Sequence, residues 1–149
     1  MDYEEFWNDC MGRMRTANIR TFDSADASGN HTQSVRVFPE ISGFGFFLTK
    51  GTKFCKLGLR QDGFVKESFF RFAVKQLQNN KAHISYSSGL SLRFCWPNPD
   101  ETRNFKIFAC EDIKNPRGQI EWFINHFPDF EQAVRPRMDE IRDQFGEGV

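Results

Sequence analysis

Leucine is scarce in this chain, neither sign of charge is in excess, and no two cysteines form a chelating pair. Each shortage excludes something. The 20 Lys and Arg balance 20 Asp and Glu, so no global field draws the protein to DNA or an anionic membrane, and nucleic-acid binding would need local asymmetry. Cys10, Cys55, Cys95 and Cys110 contain no CxxC, and His31, His83 and His126 are equally scattered. Spacing therefore implies no metal site and no cofactor. No apolar run approaches the roughly 18 residues that span a bilayer. The start, Met1-Asp2-Tyr3-Glu4-Glu5, lacks the basic and apolar regions of a signal peptide. The expectation is a cytoplasmic protein with reduced thiols and no membrane partner.

What replaces leucine is phenylalanine: 18 Phe stand against six Leu, the last of them Leu92. Phe brings a large apolar area with few rotatable bonds, so such a core packs through aromatic contacts. A chain of 149 residues suffices for one domain with one core, and no repeat or linker divides it.

The periodicity predicts an α+β domain: an antiparallel sheet of five or six strands, with helices packed mainly on one face. Tyr3, Phe6, Trp7, Cys10, Met11 and Met14 recur at helical spacing. The polar stretch Asp23 to Gln33 reads as a mobile loop. Alternation around Val35 and Val37, then Phe44, Phe46 and Leu48, then Cys55, Leu57 and Leu59 marks three strands. A helix follows from Val65 to Gln78. Further strands are expected at Ile84–Tyr86, Leu92–Trp96 and Phe105–Ala109, joined as hairpins through Ser88-Gly89 and Pro97-Asn98-Pro99-Asp100. The last part reads as two helices, the second starting at Pro128-Asp129 and kinked or stopped at Pro136.

Three strings suggest chemistry. Pro99-Asp100 with Asp112-Ile113-Lys114 matches the pattern of metal-dependent PD-(D/E)xK nucleases, where two carboxylates hold one metal beside a lysine. Asp100 falls in a proline-rich turn and Asp112 beyond a strand end, so this divergent-nuclease reading is the alternative. Gly43-Phe44-Gly45-Phe46-Phe47 is like the aromatic strand of an RNA-recognition motif, but the order of elements is wrong for that module. No G-x-S-x-G elbow supports nucleophilic catalysis.

Alternation yields a more useful pattern. If Val35, Val37, Leu57, Leu59, Leu92, Phe94, Phe105 and Ile107 face the helices, the opposite face carries Arg36, Lys56, Arg60, Arg93 and Lys106. Phe38, Phe47, Phe54 and Phe108 fall among them. Basic groups interleaved with rings form a known single-strand-binding surface. A protein partner, including a second copy of the chain, fits such a face better than nucleic acid does. Phe6, Phe44, Phe46, Phe69, Phe72, Phe94, Phe105, Phe123, Phe130 and Phe145 are expected in the core.

From Phe6-Trp7 to Ile141 the order of elements resembles the bacterial family called domain of unknown function 4268. The resemblance rests on the Phe-Trp helix, the Phe-rich helix after a strand meander and the Ile84–Trp96 segment with Ser88-Gly89-Leu90. Glu121-Trp122-Phe123 and the proline-interrupted run Phe130 to Met138 complete it. It implies a bacterial or phage α+β module in a genome-defence or counter-defence setting, acting as a non-enzymatic binding or adaptor unit. It carries over no catalytic residue.

Overall fold

Asp2 starts the first helix by accepting a hydrogen bond from the Glu5 N–H at 2.8 Å, satisfying one of the donors a helix leaves open. This helix, α1 (Tyr3–Thr16), buries Phe6, Trp7, Cys10, Met11 and Met14 as one stripe. The computed structural model describes residues 2–101 and 103–147. Strands β1 (Thr32–Phe38), β2 (Ile41–Lys50) and β3 (Cys55–Asp62) follow, then helices α2 (Glu67–Asn79) and α3 (Lys81–Ser88). Strands β4 (Arg93–Cys95) and β5 (Lys106–Glu111) and the helix α4 (Pro116–Glu147) complete the described elements. The five strands form one sheet in the order β1-β2-β3-β5-β4, every pair antiparallel. Among the described residues no helix is long and apolar enough to cross a membrane.

One face of the sheet packs on the helices through Phe46, Leu48, Leu57, Leu59, Ile107 and Ala109. Aromatic contacts dominate there. Phe46 meets Phe127 edge-on at 5.6 Å and Phe130 at 6.2 Å. Phe44 stacks with Phe70 at 5.8 Å, and Trp7 stacks with Phe123 at 6.2 Å. Each such pair adds about 0.5–1.5 kcal/mol to its area burial. Of the ten Phe expected inside, seven are buried, and Phe72, Phe94 and Phe145 are half-buried against the same cluster.

The polar stretch after α1 is tied to the core. Trp7 Nε1 donates to the Asn30 carbonyl at 2.8 Å. The buried Gln33 accepts from Ser28 N at 2.7 Å and donates to the Asp26 carbonyl at 2.9 Å. Its last two residues, Thr32 and Gln33, belong to β1.

Three expectations are corrected. Ile84–Tyr86 is not a strand but lies within α3, where Ile84 and Ser88 are buried at the four-residue spacing of a helix face. Ser88-Gly89 ends that helix, with Gly89 at φ 66° as its cap, so it is no hairpin turn. The expected helix boundary at Pro128 is also absent: α4 runs through Pro128 and Pro136. A proline inside a helix costs about 3 kcal/mol, but the buried stripe continues across both, through Phe123, Phe127, Phe130, Val134, Met138 and Ile141. Pro136 is exposed and Pro128 half-buried, and burial along the rest of α4 outweighs the local penalty.

Gln119, in the first turns of α4, is fully buried and donates through Nε2 to the carbonyls of Gly51, Phe54 and Ile113 at 3.0, 3.0 and 2.7 Å. It thereby fixes the β2–β3 turn to the β5–α4 connection. Gln119→Leu should cost about 2 kcal/mol by leaving buried carbonyls without a donor, which lowers Tm by about 4–8 °C in a chain of this size. A thermal melt checks this.

Candidate binding face

Register determines which side chains share the sheet face turned away from the helices. Directly opposed residues of an antiparallel pair point to the same side. Three rows result. Thr32, Thr49, Lys56 and Cys110 form the first. Ser34, Phe47, Gly58, Phe108 and Arg93 form the second, and Arg36, Gly45, Arg60, Lys106 and Cys95 the third. All five expected cations, Arg36, Lys56, Arg60, Arg93 and Lys106, therefore stand on one face. Asp62, two residues beyond Arg60, is the acid on that side of β3, close to where a side chain at Gly45 would stand.

The four expected rings divide. Phe38 is corrected to the helix side: an irregularity in the β1–β2 register between Arg36 and Phe38 breaks the alternation. Phe38 is buried in the core cluster under the Arg142 guanidinium, 4.7 Å from its ring. Phe47 and Phe108 remain on the open face, yet their exposures are only 1% and 7%, and neither belongs to the helix-side cluster. What stands over them is cationic. Arg60 lies 5.4 Å from the Phe47 ring, and Lys56 and Arg93 lie 5.1 and 6.0 Å from Phe108. Lys106 bridges both rings at 5.6 Å each. Phe54, half-buried in the β2–β3 turn, lies 5.2 Å from Lys56. The charged groups themselves lie over the rings, in cation–π geometry.

This roof repels itself. Among the described residues none of the five cations forms an ion pair. The buried Nε–H of Arg60 has no acceptor among them either. Burial, followed by the charges of Lys56 and Arg60, pulls the Lys106 ammonium below its ordinary pKa, with Cys95 acting the other way. With its folded pKa depressed, charged Lys106 opposes folding at neutral pH. That penalty fades as pH rises from the folded value toward the unfolded one, where the unfolded chain holds more protons. Lys106→Met keeps an apolar cover on the rings and removes the repelled charge. Tm should hold or rise by about 1–2 °C, and a fall of more than about 4 °C in a thermal melt would make the ammonium structural instead.

The nuclease constellation does not assemble. Asp100 lies in the connection before β5, whereas Asp112 and Lys114 follow its far end, and all three are exposed. Six strand residues put about 20 Å between those ends, far beyond the span of two carboxylates on one ion, with metal–oxygen distances of about 2.0–2.6 Å. Among the described residues no group of three or more His, Cys, Asp or Glu is placed to hold a metal. The thiols offer no nucleophile in the core: burial raises Cys10 far above its ordinary range and pushes Cys55 up to about 12, helped by Cys110 and Glu111.

No family model, curated protein or solved structure matches this chain. Sequence alternation found the cations of the open face. It missed Gln119 and Gln33, buried polar residues that carry no periodic signal, and Gly58, whose role depends on how closely β5 approaches.

Proposed function

We propose that this protein is a non-catalytic binding or adaptor module whose open sheet face takes an acidic surface of a partner protein. The observation that carries the reading is the cation roof over Phe47 and Phe108. Five basic side chains without ion pairs among the described residues, on a chain of zero net charge, are a local field that an incoming anion would complete. A polypeptide is favoured over single-stranded nucleic acid because base stacking needs open ring faces. Phe47 and Phe108 have none, being covered by the cations themselves. Carboxylates need only the charged ends.

Fluorescence anisotropy with labelled polyglutamate and labelled oligo(dT) tests the reading. Polyglutamate should bind with an affinity that falls as salt rises, and more tightly than oligo(dT). Absence of polyglutamate binding would remove the proposal. Tighter binding of oligo(dT) would transfer the face to nucleic acid.

A further inference from the structure

The sheet is not closed at β1. Lys50 N–H donates to the His31 carbonyl at 2.8 Å, and these residues continue the β1–β2 register in which Thr32 opposes Thr49. Position 31 is therefore a hydrogen-bonded site, and by alternation positions 33 and 35 also turn their backbone groups toward β2. The even positions turn theirs outward. Thr32 N–H is taken by Asn30 Oδ1 at 2.9 Å. The outward N–H and C=O of Ser34 and Arg36 meet no hydrogen-bond partner among the described residues. A little further on, Arg135 Nη1 takes the Val37 carbonyl at 3.2 Å. Two residues of β1 thus present four unpaired backbone groups, the template that an added strand uses.

The space beside this edge has the shape and charge for such an addition. A groove of about 640 Å³ runs along Val35, Arg36 and Val37, with the connection after α1 as its other wall. Arg20, Arg36 and Arg135 line it against a single acid, Glu131. Glu131 is already engaged, accepting from Thr21 Oγ1 at 2.8 Å and pairing with Arg135 at 3.0 Å. The same Arg36 begins the row Arg36-Gly45-Arg60-Lys106 of the open face, so the edge and the cation roof are continuous.

We infer that an extended acidic segment of the partner adds to β1 as a sixth strand, pairing with the backbone of Ser34 and Arg36. This rests on the acidic-partner reading and specifies its mode. Alternate residues of the added strand would face the groove and the open face, and a carboxylate on either side would meet arginine. A second copy of this chain fits less well, since self-pairing of β1 adds a second Arg36 and no new acid for the first, Arg20 and Arg135 being already matched by Asp23 and Glu131.

A fluorescein-labelled peptide of alternating Glu and Val tests the mode, beside the same peptide methylated at every backbone nitrogen. Methylation keeps the carboxylates and removes the N–H donors, and it leaves the protein untouched. The parent peptide should bind, and the methylated one about tenfold or more weakly, from the loss of at least two backbone hydrogen bonds. Ser34→Pro, which deletes an outward N–H and no ladder bond, should weaken the parent peptide to a similar degree. Equal binding of the two peptides overturns strand addition while leaving the acidic-partner reading intact. Failure of both peptides and of polyglutamate overturns both. A dimer in sedimentation that Ser34→Pro dissociates would assign the edge to a second copy and also overturn the inference.

Discussion

Gly58→Ala should lower Tm by about 10 °C, the loss expected from about 3 kcal/mol of strain in a chain of this length. Gly58 sits on β3 between Phe47 and Phe108 in the middle row of the open face. A Cβ there would lie 2.2 Å from the Ile107 carbonyl oxygen and 2.8 and 2.9 Å from Phe108 Cβ and Cα. None of these atoms is the end of a flexible chain. Relief requires β3 and β5 to part, yet both carry helix-side core residues, Leu57 and Leu59 on one and Ile107 and Ala109 on the other, all fully or nearly fully buried. The same movement would shift Phe108 under Lys56 and Lys106, so surviving protein should bind the acidic probe less well. A melt unchanged within about 2 °C would mean that the strands are not packed this closely.

Arg60→Glu combined with Arg93→Glu should weaken polyglutamate binding by about a hundredfold, roughly tenfold for each reversed charge, with Tm changed by only a few degrees. Arg93 is exposed and Arg60 half-buried, and neither donates to an acid among the described residues. The fold therefore loses no ion pair. It loses two cations over Phe108 and Phe47, at about 0.5–1 kcal/mol each, and gains two acids beside Lys56 and Lys106 that relieve the repulsion. The stability terms partly offset each other, whereas the binding terms add. Retained affinity in a folded double variant would remove the open face from the account.

The parts of this architecture written in the sequence are those with a short period. Phe44, Phe46 and Leu48 alternate with Gly45 and Phe47, so their assignment to opposite faces follows from the two-residue repeat of a strand. The same repeat puts Arg60 and Lys106 on the open face, and their cross-strand pairing agrees. Phe38 escaped because a register irregularity has no composition signature, and one slipped residue moves a side chain to the other face. Ile84-Ser85-Tyr86 looks alternating because the aromatic Tyr86 follows Ile84 by two, yet Tyr86 is exposed and the buried partner of Ile84 on α3 is Ser88. Pro128 and Pro136 act as local breakers in isolation, and only the long packed stripe of α4 shows why they fail to break it here. The cover over Phe47 and Phe108 was likewise illegible. Alternation tells which side a ring faces, but not that neighbouring lysines and arginines lie across it.

Titrating isotope-labelled protein with polyglutamate, and following backbone amide signals by NMR, distinguishes the open sheet face from every other surface. Shifts should concentrate at Arg36, Lys56, Gly58, Arg60, Arg93 and Lys106, with the buried helix stripe of Phe123, Phe127 and Phe130 unmoved. Shifts centred on the helices, or none at polyglutamate concentrations that saturate a salt-sensitive binder, would contradict binding at that face.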